Sequence, residues 1–357
     1  MRRTKMKKVA KTMSKIVKWI MIAVVVVILL FFIVRAIGKV YYNRTPQGGI
    51  NESMYVEING IKQWISIYGE DINNPVLLYL HGGPGTSTSL YDYAFTRKWA
   101  DVYTVVTWDQ RNCGKSYSPD QNNTELTYEL LMSDGVQMTQ YILKHLEKDK
   151  ITLLGHSWGT YYGSNLALEY PEYYEAYIGT GQLVDFDENE NAFKEVASKW
   201  VGDDEEGLAL LSRLNVDDYT GDYYNARNSL MVKYGYDLFA DGTDYSFGAA
   251  QYFNPYYSLS DIVNYINAED IVYGKFLSSE EFNKFSLKGR YKYQVPYFNI
   301  NGDKDYQTNY LIAQDYFDEI EAPNKKMYIM ENTTHGLLES KSEEFSKILH
   351  EIAEINN

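Results

Sequence analysis

The chain contains little cysteine and little histidine. Cys113 is the only cysteine among 357 residues. This excludes an internal disulfide framework, so a hydrophobic core must stabilise the fold. A chain of this length can bury such a core without further help. Histidine occurs only five times, so few side chains are candidates for a catalytic base.

Acidic residues are absent from the first 40 positions, which hold ten of the 34 Lys and Arg. The remaining residues therefore carry 24 basic against all 48 acidic side chains, a net charge of −24. So acidic a surface would repel nucleic acid and anionic lipid. We expect neither to be a partner of that part of the chain.

A long apolar run follows the basic N-terminal segment. Residues 17–37, with Lys18 and Arg35 snorkelling toward the headgroups, give about 20 residues, enough to cross ~30 Å of hydrocarbon. Because segment 1–18 is basic, we predict that it stays in the cytoplasm and that the catalytic domain of a single-pass cell-membrane protein faces outward. The alternative is a secreted enzyme with a cleaved signal peptide, although the unbroken run Trp19 to Val34 exceeds the ~7–15 apolar residues usual there.

The rest of the chain is organised as one core with an insertion. Residues 38–53 form a polar stalk, and strand and helix patterns alternate over 54–183 and 294–357. This alternation predicts an α/β fold with a mostly parallel, doubly wound sheet. Residues 184–293 are acidic, tyrosine-rich and partly helical. We interpret them as a cap over the carboxyl ends of the strands, where open α/β sheets bind ligands.

A nucleophile elbow is the clearest catalytic motif. Gly155-His156-Ser157-Trp158-Gly159 follows the apolar run 151–154 and precedes a predicted helix over 161–170. This strand–turn–helix context predicts Ser157 as the nucleophile, with glycines beside it because the turn is strained and closely packed. A serine that merely caps a helix would explain neither glycine. We expect the side chain of His156 to point away from the substrate.

A serine hydroxyl needs a histidine to take its proton and a carboxylate to orient that histidine. In the α/β-hydrolase arrangement the chain order is Ser, acid, His, each after a later strand. Asp305 follows the strand-like run 295–300, and His335 follows the run 326–330. We therefore predict Asp305 as the acid and His335 as the base. Asp303, two residues from Asp305, remains an alternative.

The oxyanion hole is predicted from a glycine-rich loop. His81-Gly82-Gly83-Pro84-Gly85 follows the buried run 76–80. Glycines let the main chain approach a substrate, and backbone N–H groups stabilise the charge of a tetrahedral intermediate. We predict the N–H groups of Gly83 and Trp158 as the two donors.

Three segments together closely resemble the proline iminopeptidase (prolyl aminopeptidase) branch of the α/β-hydrolases. They are the loop 81–85, the loop Trp108-Asp109-Gln110-Arg111-Asn112-Cys113-Gly114-Lys115-Ser116 and the elbow 155–159. Asn112 stands where this family usually has glycine, a tolerated change because asparagine accepts left-handed backbone geometry. The resemblance implies an α/β-hydrolase core with a helical cap, no cofactor, and release of an N-terminal residue, commonly proline. No metal site is predicted.

The resemblance also implies that acidic cap residues hold the free amine of the substrate. Asp185-Phe186-Asp187-Glu188-Asn189-Glu190 opens the cap, and one or two shielded carboxylates would stabilise an ammonium ion. Glu188 and Glu190 are the candidates, against the alternative of a solvated acidic helix start. The many cap tyrosines predict either an aromatic pocket for an apolar first residue or a compositional bias.

Two classes of function compete. The first is a membrane-anchored serine aminopeptidase, with an esterase or amidase using the same triad on substrates without a free amine as its enzymatic alternative. The second is a non-catalytic surface receptor on a hydrolase fold, which the presence of all three triad residues disfavours. The expected partners are a peptide or small ester or amide and, through the N-terminal helix, the lipid bilayer.

Overall fold

The computed structural model describes residues 2–121, 125–215, 221–277 and 284–356. Its strands form one eight-stranded sheet in the order β1-β2-β4-β3-β5-β6-β7-β8. The strands are β1 (Ile50–Ile58), β2 (Ile61–Gly69), β3 (Val76–Leu80), β4 (Thr104–Asp109), β5 (Ile151–His156), β6 (Tyr174–Thr180), β7 (Tyr297–Gly302) and β8 (Lys325–Met330). Strands β1, β2 and β4 pair antiparallel, and all other pairs are parallel. The predicted α/β fold with a mostly parallel sheet is confirmed.

Helices cover both faces of the sheet. The α-helices of the described residues are α1 (Arg2–Tyr42), α2 (Tyr93–Thr96), α3 (Tyr128–His145), α4 (Trp158–Glu169), α5 (Phe186–Val201), α6 (Glu205–Leu211), α7 (Gly221–Tyr234), α8 (Phe247–Phe253), α9 (Leu259–Leu277), α10 (Tyr310–Glu319), α11 (Leu337–Ser340) and α12 (Ser342–Asn356). Side chains alternate along each strand, so Leu78 and Leu80 of β3 join the core beneath α3 and α4, whereas Leu77 and Tyr79 join the core beneath α12. Both layers of the core are therefore filled from one strand.

The insertion between β6 and β7 contains helices α5 to α9 and a small core of its own. Asp185 begins it as the N-cap of α5, since its carboxylate accepts a hydrogen bond from the backbone N–H of Glu188 at 2.9 Å. Phe193, Ala197 and Leu230 are buried between α5 and α7. The cap residues 216–220 and 278–283, with Tyr219 among them, lie outside the described residues.

Helix α1 differs from its prediction at its C-terminal end. The part from Lys11 to Tyr42 is long and apolar enough to cross a membrane, a test that a signal sequence also passes. The helix continues to Tyr42 and β1 begins at Ile50, so only residues 43–49 of the predicted stalk connect the two elements. The prediction that Arg35 snorkels is wrong: its side chain is buried, and its guanidinium donates a hydrogen bond to the carbonyl of Tyr257 at 2.9 Å.

Candidate active site

Ser157 lies at a tight turn between β5 and α4. Its φ of 54° and ψ of −121° are unusual for a residue with a side chain, and such strain is concentrated at functional sites. A Cβ on Gly155 would lie 2.3 Å from the carbonyl oxygen of Gly159, and a Cβ on Gly159 would lie 2.1 Å from that of Leu80. Both neighbouring glycines are therefore required by space.

His335 and Asp305 meet at the carboxyl ends of β7 and β8. Nδ1 of His335 lies 2.7 Å from Oδ2 of Asp305, which is fully buried. The other carboxylate oxygen accepts hydrogen bonds from the backbone N–H groups of Gln307 and Thr308, each at 3.0 Å. The Thr308 hydroxyl donates to Oδ2 at 3.0 Å. These donors stabilise the ionised carboxylate and fix its orientation toward the imidazole.

Asp303 has a different position. Its Oδ1 accepts a hydrogen bond from the backbone N–H of Thr333 at 3.1 Å, and its own N–H donates to the carbonyl of Met330 at 3.2 Å. Asp303 thus holds the loop that carries His335, while Asp305 contacts the imidazole itself.

Ser157 and His335 line the same cavity, which has a volume of about 410 Å³. Gly82 and Gly83 of the predicted oxyanion loop line it as well, and a Cβ on Gly82 would lie 3.2 Å from Cβ of Ser157. Trp158 is buried and its side chain is not part of the lining. Its N–H begins α4, where the first N–H groups have no acceptor within the helix.

The loop after β4 braces this site from outside the cavity. Asp109 accepts a hydrogen bond from the N–H of Lys115 at 2.7 Å and one from the hydroxyl of Ser87. Burial raises the pKa of Asp109 to about 6. Arg111 forms a buried two-point ion pair with Asp134, with contacts of 2.6 and 2.8 Å. Asp109 and Arg111 therefore hold this loop in place, and neither lines the cavity.

His156 does not point away from the site. It lines the cavity, and its ring centroid lies 4.8 Å from that of His335. Burial, followed by the nearby His335, lowers the pKa of His156 well below its usual value, so the ring is neutral. The sequence expectation is wrong, because the ring lies beside the glycine-rich loop, where a Cβ on Gly82 would lie 3.5 Å from Cδ2 of His156.

Glu188 and Glu190, predicted to hold the substrate amine, are not among the residues that line the cavity. Glu188 is partly exposed and pairs with Lys288 at 2.7 Å. Glu190 is buried and accepts hydrogen bonds from Nε of Arg227 at 2.8 Å and from the Tyr223 hydroxyl at 2.5 Å. Their carboxylates are therefore occupied by cationic or hydroxyl partners of the chain itself, which corrects the prediction.

A protein-family model described as the alpha/beta hydrolase fold matches residues 75–342. The chain belongs to the α/β-hydrolase fold family. It is 30% identical to a curated relative, "Probable aminopeptidase YbaC" of Bacillus subtilis (strain 168), over 304 residues that cover 78% of this chain and 89% of that protein. It is 32% identical to the proline iminopeptidase of Clostridioides difficile (strain 630) over 176 residues, 48% of this chain and 56% of that protein. The predicted resemblance to proline iminopeptidases is confirmed.

Solved structures show the same fold. The crystal structure of the proline iminopeptidase of Mycobacterium smegmatis superposes with a TM-score of 0.62 at 20% identity, over 85% of this chain and 98% of that chain. A membrane phospholipase A described as a bacterial virulence factor superposes with a TM-score of 0.58 at 15% identity, over 91% of this chain and 92% of that chain. At sequence identities this low, the superpositions establish only a shared architecture. The substrate must therefore be argued from the cavity of this α/β-hydrolase itself.

Two carboxylates that the sequence analysis missed line the cavity of this α/β-hydrolase, Asp237 after α7 and Glu339 on α11. Glu339 is 3% exposed, and its Oε2 has no hydrogen-bond partner among the described residues. Burial raises the pKa of Glu339 to about 8. The available signal was its position in the sequence, four residues after His335.

Of the two alternatives for the cap tyrosines, the cavity lining among the described residues does not support the aromatic pocket. Tyr91 of the core is the tyrosine that lines the cavity there, and the cap contributes the apolar residues Met231, Val232 and Leu238. The cap tyrosines have packing roles instead, as when Tyr236 stacks on Trp200 with ring centroids 4.3 Å apart.

Proposed function

We propose that this α/β-hydrolase is a membrane-anchored serine aminopeptidase that releases an N-terminal residue from peptides. The observation that carries the proposal is one cavity lined by Ser157, His335 and Gly83, with His335 held by a buried Asp305 at 2.7 Å. This is the arrangement that activates a serine hydroxyl.

In the proposed reaction, Oγ of Ser157 attacks the first peptide carbonyl while Nε2 of His335 takes the hydroxyl proton. Asp305 accepts the hydrogen bond of Nδ1–H and stabilises the imidazolium that forms. The N–H groups of Gly83 and Trp158 stabilise the oxyanion, and loss of one such donor costs about 3 kcal/mol. His335 then gives its proton to the leaving amine, and a water molecule hydrolyses the acyl-enzyme with His335 as base.

The substrate amine would lie against Asp237 and Glu339 instead of Glu188 and Glu190. An ammonium ion would supply the partner that Oε2 of Glu339 lacks among the described residues, and it would favour the ionised carboxylate. A cavity of about 410 Å³ is near the lower end of the usual ligand-pocket range. It suits one residue and the following bond better than a long acyl chain.

An esterase or amidase is the second candidate, favoured by the same carboxyl group. With its pKa raised to about 8, Glu339 is protonated at neutral pH in the free enzyme. In this protonated form it can donate a hydrogen bond to a neutral ester or amide, whereas only the ionised form would bind an ammonium ion. The apolar side chains Met231, Val232 and Leu238 would contact the acyl group.

The length and apolar composition of helix α1 support a location at the cell membrane. We propose that its N-terminal basic end stays in the cytoplasm and that the hydrolase domain lies outside, because cytoplasmic flanks carry the excess of Lys and Arg. Cleavage of α1 as a signal peptide, followed by secretion, is the alternative.

Three substrates separate these activities when they are offered to the full-length protein in detergent micelles. They are proline β-naphthylamide, the same compound with its amine acetylated, and a short-chain p-nitrophenyl ester, with Ser157→Ala as the control. Turnover of the free-amine substrate alone supports the aminopeptidase. Turnover of the ester alone replaces it with the esterase, and turnover that survives in Ser157→Ala refutes both.

A further inference from the structure

The outer end of α1 is packed against the cap. The ring of Phe31, which belongs to the apolar run, lies 4.6 Å from that of Tyr252 on α8. Gly38 faces Phe253 so closely that a Cβ there would lie 2.0 Å from the ring. The ring of Tyr42 lies 5.1 Å from that of Tyr93. Helix α8 therefore contacts α1 at the level of its membrane-spanning run.

The cationic residues of this end are covered by cap carbonyls. Arg35 is 6% exposed and donates to the carbonyls of Tyr252 and Tyr257, and Nζ of Lys39 donates to the carbonyl of Tyr257 at 2.8 Å. The face of α1 turned away from the cap stays apolar beyond Arg35, with Ile37 and Val40 exposed. The apolar surface of α1 therefore continues past Arg35 and Lys39.

Helix α9 begins two residues after Tyr257 and carries an exposed apolar face. Leu259, Val263 and Ile266 are 48%, 58% and 59% exposed, and their spacing of four and three residues places them on one side of the helix. Another part of the same helix packs on the core, where Tyr265 donates a hydrogen bond to the carbonyl of Ser87. Contiguous apolar patches of this kind mark interaction surfaces in soluble domains.

The position of this exposed face favours contact with the lipid bilayer. The cap residues next to it, Tyr252 and Tyr257, already contact the apolar run of α1. Tyrosines such as Tyr252 and Tyr256 are typical of the membrane–water interface. The charged residue nearest the start of the face, Asp261, is paired with Lys115 at 3.2 Å. Because these two charges are paired with each other, they oppose contact with lipid less than a lone carboxylate would.

We infer that helices α8 and α9 of the cap form, with the outer end of α1, a continuous surface seated in the outer interfacial layer of the lipid bilayer. This inference rests on the proposed membrane anchoring of α1. The seated surface adjoins the cavity wall, since Asn254 donates hydrogen bonds to the carbonyls of Ser89 and Leu90 at 2.8 Å. Thr88 and Tyr91, the neighbours of these two residues, line the cavity.

Fluorescence quenching by lipid nitroxides tests the inference in phosphatidylcholine vesicles that contain the full-length protein. The background is Cys113→Ala, because Cys113 is the only cysteine. A fluorophore is attached to Val263→Cys or Ile266→Cys. Ile329→Cys is the matched control, since Ile329 is also apolar and 41% exposed but lies on β8, at the sheet edge opposite β1. Val26→Cys reports on α1 itself and is read with a nitroxide near the ends of the acyl chains, because Val26 lies near the middle of the apolar run.

A nitroxide near the top of the acyl chains should remove about half or more of the fluorescence at positions 263 and 266, because interfacial apolar faces lie ~5–10 Å into the headgroup–acyl boundary. The label at Ile329 should be unaffected. Quenching at Val26 with none at 263 and 266 would overturn the inference and leave the anchor standing. A disulfide-linked dimer of the unlabelled Val263→Cys variant, with no quenching of the labelled one, would identify a second copy as the occupant and overturn the inference as well. An unquenched Val26 label would refute the anchor and the inference together.

Discussion

At the scale of single residues, Asp303 and Asp305 have different partners although only Lys304 separates them. Asp305 contacts the His335 imidazole, whereas Asp303 accepts a hydrogen bond from the main chain of Thr333. The sequence alone left the choice open because both carboxylates follow the same strand. The turn that directs one inward and the other toward the next loop exists only once β7 and β8 are paired.

This difference predicts the result of a matched pair of substitutions. In Asp305→Asn the amide no longer accepts the Nδ1–H bond and favours the wrong imidazole tautomer, so kcat should fall by about 10⁴, as in other serine triads. Asp303→Asn keeps an oxygen for Thr333 and should stay within a few-fold of the parent. Steady-state kinetics on the best substrate measures both. A larger loss in Asp303→Asn than in Asp305→Asn would reverse the assignment.

Glu339 allows a prediction about substrate choice. Glu339→Gln keeps the shape of the side chain but cannot carry the negative charge that binds an ammonium ion, so KM for a free-amine substrate should rise by at least about tenfold. KM for a p-nitrophenyl ester should barely change. Glu188→Gln, which alters a partly exposed carboxylate paired with Lys288, is the control. Equal effects of Glu339→Gln on both substrates would exclude the amine-binding role.

The same residue predicts a pH dependence of stability. Burial raises the pKa of Glu339 from 4.5 to about 8, so the folded state holds this proton more tightly than the unfolded state. The stability that this group contributes is therefore complete below about pH 4.5 and is lost as pH rises through 8. Glu339→Gln has no ionisable group here and does not lose this stability. The Tm of the variant minus the Tm of the parent should therefore increase from pH 5 to pH 9. A pH-independent difference in thermal unfolding would contradict the prediction.

At the scale of elements, the elbow shows how far a local pattern determines structure. The glycines at 155 and 159 are needed because β5, the turn and α4 approach each other so closely. The residues in contact at the turn are only a few positions apart in the sequence, so the local pattern was enough to predict it. The direction of α5 relative to the cavity depends instead on packing against α7. The sequence therefore did not reveal that Glu190 faces Arg227.

Two glycine substitutions test the packing argument. Gly159→Ala would place a Cβ 2.1 Å from the carbonyl oxygen of Leu80, and overpacking of this kind typically destabilises by about 1–3 kcal/mol. Gly248→Ala, in α8, would meet nothing within 4 Å and should stabilise the helix by about 0.5–1 kcal/mol. Thermal unfolding of the two variants in micelles measures both effects. Equal stability of the two variants would contradict the close approach at the elbow.

At the scale of the whole molecule, the sequence predicted the core better than the cap. Core strands have apolar runs and turn motifs that are local signals, so the sheet and the positions of Ser157 and His335 at its edge followed from them. The docking of α1 on the cap depends on contacts such as that of Arg35 with Tyr257, 222 residues apart. Nothing in the local pattern around Arg35 indicates such a distant partner.

The proposed anchored topology has a consequence that can be tested in cells. An uncleaved α1 should keep the chain with membranes after alkaline carbonate extraction, with the N-terminus protected and the hydrolase domain digested by protease added to intact cells. A mature chain that begins after about residue 36 and appears in the medium would instead establish a signal peptide.

We propose that His335 activates Ser157 as a nucleophile within the cavity. Intact-mass analysis after reaction with a fluorophosphonate tests it without assuming a substrate, because an activated serine oxygen displaces fluoride from phosphorus and leaves a stable phosphonylated serine. We predict one adduct per chain, located on Ser157, that is lost in Ser157→Ala and strongly slowed in His335→Ala. No adduct on the folded full-length protein, or an adduct on another residue, would refute the activation of Ser157 by His335.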